Sequence, residues 1–272
     1  MKLKGTTFFI TGSSRGIGRA MALRFAQEGA NIVVIGKTAQ PHKKLEGTIH
    51  TVAQEIEALG GQALPIQLDV RDELAIADAV QRTVAQFGGI DVLINNASAI
   101  ALTSTLETKM RRFDLMYQVN VRATFACSQA CIPYLKQAKN PHIINIAPPL
   151  SMKSKWFKDH VAYTYTKFGM SVCTLGMAAE FAEDGIAVNS LWPKTTIATA
   201  AVKYNFPPPI YAASRQPAIM ADAAWHMVQQ DARTYTGQFL LDEGVLRAAG
   251  QTDFEQYMEN PKLEPILDFY ID

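Results

Sequence analysis

Tyr163 and Lys167 are the residues in this 272-residue sequence best suited to move a proton. They stand four apart in the run Tyr163-Thr164-Tyr165-Thr166-Lys167, a spacing that puts both on one face of a helix while Tyr165 points elsewhere. A phenol titrates near ~10 and needs a neighbouring cation to serve as a general acid or base at neutral pH; Lys167 is placed to be that cation. The same spacing occurs in many ordinary helices, so its weight depends on the sequence around it.

A second cluster lies near the start of the chain. Thr11-Gly12-Ser13-Ser14-Arg15-Gly16-Ile17-Gly18 follows an apolar β-branched run and opens a helical pattern. Glycines there allow a tight turn and close approach to a pyrophosphate, and the helix start supplies amide donors. Gly12, Ser14, Arg15, Gly16, Ile17 and Gly18 are therefore candidate cofactor residues; a plain strand-to-helix turn is the bland alternative. After the second strand candidate, where an acidic residue would favour an unphosphorylated ribose, the chain has Gly36-Lys37, followed by His42, Lys43 and Lys44. Cations suit a 2′-phosphate, and the Arg15 guanidinium suits the same group, which points to NADP. Asp69 and Val70 follow the third strand candidate, with Asp69 as an acceptor for an adenine amino group or simply a helix cap. Asn96, Ala97 and Ser98, after the fourth, are short enough for a ribose to come close.

These residues need a frame that gathers strand ends. From residue 6 to about 194 the sequence alternates short apolar runs with helical patterns, the signature of βαβ units. Strands are expected at 7–11, 31–35, 63–68, 92–95, 142–146, 186–191 and 238–242. Helices are expected at 17–28, 48–59, 73–87, 111–135, 162–183 and 221–229. The expected fold is α/β, a doubly wound seven-stranded parallel sheet with helices on both faces, forming one domain over 1–272. Right-handed crossovers bring the strands' carboxyl ends to one edge. The stretches 37–47 and 201–217, the latter containing Pro207-Pro208-Pro209, read as irregular loops overhanging that edge.

Composition supports the frame and narrows the partners. Hydrophobic residues make up 48% and charged residues 19%, enough to cover a sheet on both faces. A formal net charge of +1 gives no electrostatic reason to expect nucleic acid. No apolar run is long enough to span a bilayer, and the opening MKLKGTTFFITGSS does not read as a secretory leader. Cys127, Cys131 and Cys173 form no CxxC motif, so no metal is expected and a reducing cytoplasm fits best.

Taken in order, TGSSRGIG, NNAS, Asn120, YxxxK and a Pro193 turn resemble the classical short-chain dehydrogenase/reductase family across roughly residues 5–245. KTAQPH, IPYLK, PPL, GMSV and WPKT are similar to its hydroxysteroid-dehydrogenase-like branch, whose longer members append a sterol-carrier domain that this sequence is expected to lack. The resemblance implies a Rossmann-like fold and NADP-dependent hydride transfer to or from a carbonyl or secondary alcohol. It implies that Tyr163 exchanges the proton, that Lys167 binds the nicotinamide ribose and lowers the phenol's pKa, and that Asn120 holds a relay water. It also implies that residues 193–197, including Pro193 and Thr195, contact the carboxamide.

Two departures stand out. Where the family has a substrate-orienting serine, this chain has Ala147-Pro148-Pro149, and Lys194 replaces the glycine after Pro193. Ser151 is a candidate replacement for the missing hydroxyl, against an ordinary loop serine. Trp156, Phe157, Trp192, Tyr204, Phe206 and Ile210 are candidate walls for an apolar pocket: steroid-like, fatty-acyl-like or small ketone substrates all fit. Lys153, Lys155 and Lys158 would attract an anionic group or form a solvated face. The alternative function is a dinucleotide-binding regulator with weak or no turnover. Family resemblance also implies a homodimer or homotetramer joined through 111–135 and 162–183. The tail 252–272, with six acidic residues and one lysine, reads as a packing or subunit-contact segment.

Overall fold

The computed structural model describes residues 2–41 and 45–272; His42, Lys43 and Lys44, named above as cations, lie outside them. Seven parallel strands form one sheet: β1 (Thr7–Thr11), β2 (Asn31–Gly36), β3 (Gln62–Gln67), β4 (Val92–Asn95), β5 (His142–Asn145), β6 (Ala187–Trp192) and β7 (Phe239–Leu241). Their spatial order is β3-β2-β1-β4-β5-β6-β7. All five residues of β1 are buried, as expected for a central strand covered on both faces. Because side chains alternate along a strand, Phe8 and Ile10 enter one apolar layer and Phe9 the other. The order reverses between β1 and β4, which opens a crevice at their carboxyl ends.

Helices α1 (Gly16–Ala26), α2 (Ile49–Ala58) and α3 (Glu73–Phe87) connect the first four strands. α3 has the limits its sequence predicts: the Asp72 carboxylate accepts from the amides of Leu74 and Ala75 at its start, and Gly88 ends it at φ 85. The helix expected over 111–135 is divided into α4 (Met110–Met116), a π-helical turn (Tyr117–Arg122) and α5 (Ala123–Leu135). α6 (Val161–Glu180) follows β5 and carries the reactive pair.

The stretch 201–217 is not wholly irregular. It contains α7 (Ala200–Asn205), whose Thr199 cap accepts from the Val202 amide, and α8 (Pro208–Ala212). Prolines at the first turn of α8 cost no helical hydrogen bond, so the run that suggested a loop starts a helix instead. α9 (Ala218–Met227) packs on α1, and α10 (Asp242–Ala248) follows β7 directly. α10 occupies a region the sequence reading left outside its helices.

Candidate active site

A cavity of about 810 Å³ runs along the carboxyl ends of the strands. Gly12, Ser14, Arg15, Gly16 and Ile17 form one end of it. Gly12 has φ +67, and a Cβ there would stand 3.0 Å from the Ala97 Cα. Gly18 does not line the cavity; it clears space behind it. A Cβ at Gly18 would fall 2.5 Å from the Asn96 Nδ2, which donates to the carbonyls of Thr11 (2.9 Å) and Gly12 (3.1 Å). Asn96 thereby clamps the turn, while the Thr11 hydroxyl accepts from the amides of Asn96 and Ala97 at 3.0 Å each. Arg15 precedes α1 in extended conformation and provides no side-chain cap. The first amides of α1 therefore lack a capping oxygen beside a cavity with room for a phosphate, and these residues fit a dinucleotide pyrophosphate.

Lys37, Asp69 and Val70 line the same cavity, as do Asn96, Ala97 and Ser98. Lys37 Nζ lies 3.0 Å from the Asp69 carboxylate, which also receives Arg71 at 2.6 Å. Arg71, then burial acting the other way, then Lys37 leave the Asp69 pKa well below the usual carboxylate range. Arg15 is tied to the loop before α2, donating to the carbonyls of Glu46 (3.1 Å) and Gly47 (2.9 Å). Gly36 leaves no acidic side chain at the end of β2.

Tyr163 and Lys167 are both buried and both line the cavity. Lys167 Nζ donates to the Ile146 carbonyl at 2.6 Å and the Met170 sulfur at 3.2 Å, and stands 5.1 Å from the Trp192 ring centroid. Burial pulls the Lys167 pKa down to about 7, with Asp268 opposing. Burial, Tyr270 and Asp268 all push the Tyr163 phenol well above its usual range, so the phenol is protonated at neutral pH.

Asn120 lies in the π-helical turn, fully buried but not on the cavity wall. Its Oδ1 accepts from the Ala99 amide at 2.8 Å, and its Nδ2 donates to the Ala99 carbonyl and the Thr166 hydroxyl at 3.0 Å. Its side chain thus fastens the loop after β4 to α6. Pro193 lines the cavity whereas Thr195 does not; Thr196 and Thr199 occupy the wall instead. Thr195 pairs with Leu267 in a short antiparallel bridge that holds it away from the opening.

Both departures have structural consequences. The bend after β5 presents no hydroxyl, and Ser171 donates to the Pro148 carbonyl at 2.7 Å. Ser151 is not on the cavity wall; its oxygen accepts from the Lys153 amide at 3.4 Å. The Lys194 amide donates to Asp242 at 2.9 Å and its ammonium bridges to Glu243 at 2.8 Å, so this lysine pins the turn to α10. Glu243 also receives Arg215 and Arg247, which explains how a carboxylate is accommodated there with little exposure.

Ile266, Leu267, Asp268, Phe269 and Ile271 line the cavity beside Tyr163 and Lys167, an arrangement the sequence reading missed. The Trp192 indole donates to the Phe269 carbonyl at 2.9 Å, and the Asp268 amide donates to the Lys194 carbonyl at 3.1 Å. Lys153 and Lys155 each reach Asp272 at 2.7 Å. Trp156, Phe206 and Ile210 complete the apolar wall; Phe157 and Tyr204 do not line it.

Residues 6–208 match the sequence profile of the short chain dehydrogenases. The chain belongs to the short-chain dehydrogenase family. Within that family it is similar to hydroxysteroid dehydrogenase-like protein 2 of Danio rerio, 54% identical over 271 residues covering 100% of this chain and 65% of the relative. The chain thus spans just under two thirds of that relative's length. A putative dehydrogenase from Xanthomonas campestris is 49% identical with TM-score 0.97, each chain covered completely. A 7α-hydroxysteroid dehydrogenase complexed with NADH and 7-oxo glycochenodeoxycholic acid is 27% identical with TM-score 0.77, covering 88% of this chain and 93% of that one. The short-chain dehydrogenase family is one of oxidoreductases. Among the described residues, no helix is long and apolar enough to cross a membrane, and no group of metal-binding side chains is assembled.

Proposed function

We propose that residues 1–272 act as one catalytic domain that transfers a hydride between NADP(H) and an apolar carbonyl or secondary alcohol. The observation that carries this reading is that Tyr163 and Lys167 share one cavity with the uncapped start of α1. Gly12, Ser14, Arg15 and Gly16 would hold this cofactor, which would supply or accept the hydride. The Tyr163 hydroxyl hydrogen-bonds the substrate oxygen and passes it a proton as the carbonyl is reduced. The Lys167 ammonium then stabilises the phenolate left behind. Lys37 and Arg15 hold the 2′-phosphate, with no carboxylate at position 36 to repel it.

Trp156, Trp192, Phe206, Ile210, Phe269 and Ile271 favour an apolar substrate body, with the steroid-like and fatty-acyl-like classes fitting best. Exposed Phe125, Tyr165, Val172 and Leu175 give α5 and α6 a sticky outer face suited to a homodimer or homotetramer. Three free cysteines fit a reducing cytoplasm. The deciding experiment follows NADPH oxidation against a panel of apolar ketones and aldehydes. Turnover of a bulky ketone is expected. Tight NADPH binding with no substrate turned over would favour a regulatory dinucleotide-binding protein, in keeping with the absent serine.

A further inference from the structure

We propose that Trp192 is a positioning residue of the Tyr163/Lys167 site: the face of its indole seats the Lys167 ammonium while its ring N–H holds the segment 266–271 against the cavity. One side chain then sets both the reactive lysine and the substrate-side wall. The turnover arm of the test below rests on the hydride-transfer reading; the Lys167 arm does not.

Trp192 is the last residue of β6, where the strand reaches the cavity wall. Side chains alternate along a strand, so Leu191 joins the apolar layer that includes α9, and Trp192 turns to the other face, against Phe168 of α6 and Tyr270. Its ring centroid stands 5.1 Å from the Lys167 Nζ. At that distance the negative face of an aromatic ring attracts an ammonium, and the attraction grows where water is excluded. Both residues are buried. The remaining contacts of the ammonium are the Ile146 carbonyl at 2.6 Å and the Met170 sulfur at 3.2 Å, so all three groups that seat it are neutral. Burial works against its charge, and Asp268 opposes that from beyond contact.

The edge of the same indole has a different partner. Its Nε1 donates to the Phe269 carbonyl at 2.9 Å. A buried indole N–H needs an acceptor, so this bond fixes the plane of the ring and thereby the face that Lys167 meets. Phe269 lies between two further ties of its segment: the Thr196 amide donates to the Ile266 carbonyl at 2.9 Å, and the Tyr270 hydroxyl lies 3.1 Å from that of Thr164 on α6. Phe269 and Ile271 both line the cavity. An aliphatic side chain at 192 would supply neither contact, and phenylalanine would supply the aromatic face alone.

That difference gives the test. Trp192→Phe keeps a ring and loses the N–H; Trp192→Leu loses both. Titration of the cofactor-free full chain labelled with 13C-lysine, the Lys167 signal assigned by its loss in Lys167→Met, reads the seat directly. Lys167 is expected to lose its proton about one pH unit lower in Trp192→Leu and by less than half of that shift in Trp192→Phe. Trp225→Phe removes an indole that meets Lys2 and Arg24 instead, and should leave the Lys167 titration in place. In turnover, Trp192→Phe should raise KM for a bulky ketone about tenfold with kcat nearly kept, whereas Trp192→Leu should lower kcat about tenfold as well. A Lys167 titration that is unchanged or higher in Trp192→Leu overturns the proposal, as does an equal shift in the two variants. A fall of kcat in Trp192→Phe as large as its rise in KM overturns the division between face and edge. If Lys167 shifts as expected and no ketone is turned over by wild type, the seat stands and the hydride-transfer reading fails.

Discussion

The two sides of the cavity are assembled in opposite ways. On the β1–β4 side, most wall residues sit within a few positions of their own strand's end: Gly12 and Ser14 to Ile17 after β1, Lys37 after β2, Asp69 and Val70 after β3, Asn96 to Ser98 after β4. On the β5–β7 side, the apolar wall is drawn from residues 156, 192, 206, 210, 266–269 and 271, which are far apart in sequence. The first arrangement needs only parallel strands and short turns to come out right. The second needs α7, α8 and the closing segment to fold back over the sheet. Under the proposed function, reaction chemistry and cofactor binding would rest on local motifs, whereas substrate shape would rest on long-range packing.

Tyr163 stands where the two sides meet, so its loss should have the largest effect. Tyr163→Phe is expected to lower kcat/KM for carbonyl reduction by about 10³-fold, leaving NADPH affinity within a factor of a few. Equal activity in the two proteins would remove the phenol from the mechanism. Lys37→Ala breaks the cofactor side alone: NADPH should bind about 1 to 3 kcal/mol more weakly and NADH nearly unchanged, as measured by fluorescence titration. Arg71 still holds Asp69 in that variant, so similar losses for both cofactors would refute the 2′-phosphate role.

Phe269→Ala breaks the other side. KM for a bulky apolar ketone should rise about tenfold, the scale of one lost aromatic contact, with NADPH affinity retained. A change in NADPH affinity equal to that in KM would show that the two sides are not separable. The smallest expected effect concerns the frame they share. Burial lowers the pKa of His142, at the start of β5, to about 4. Between the usual 6.5 and 4 the unfolded chain binds the proton first, so stability falls as pH drops through that window. By about pH 5.5 the loss from this group should be about 1 kcal/mol, and His142→Val should remove it in denaturant titrations.

The contrast also explains what was legible beforehand. Strand positions, the glycine turn and the Tyr163/Lys167 spacing could be read directly, because periodicity and turn chemistry are local. Gly18 was grouped with phosphate-binding residues, yet its work is to make room for Asn96, which only the packing reveals. Residues 193–197 are expected at the carboxamide, with Pro193 and Thr195 named; Pro193 and Thr196 line the cavity, while Thr195 pairs with Leu267, a partner 72 positions away that no local pattern reveals. Asn120 is expected to hold a relay water; that its side-chain amide also joins Ala99 to Thr166 is visible only in the packing.

By itself the sequence determined a doubly wound parallel sheet, a glycine turn at its first strand and a tyrosine and lysine one helical turn apart. These follow from side-chain alternation, backbone freedom and helix geometry, all of which act over a few residues. Tertiary structure alone decided that Asp268 and Phe269 share a cavity with Tyr163, that Ser151 does not, and that Lys194 serves as an anchor. Those outcomes depend on how separated segments pack and on which charges are buried together, and neither is encoded in any short stretch of the chain.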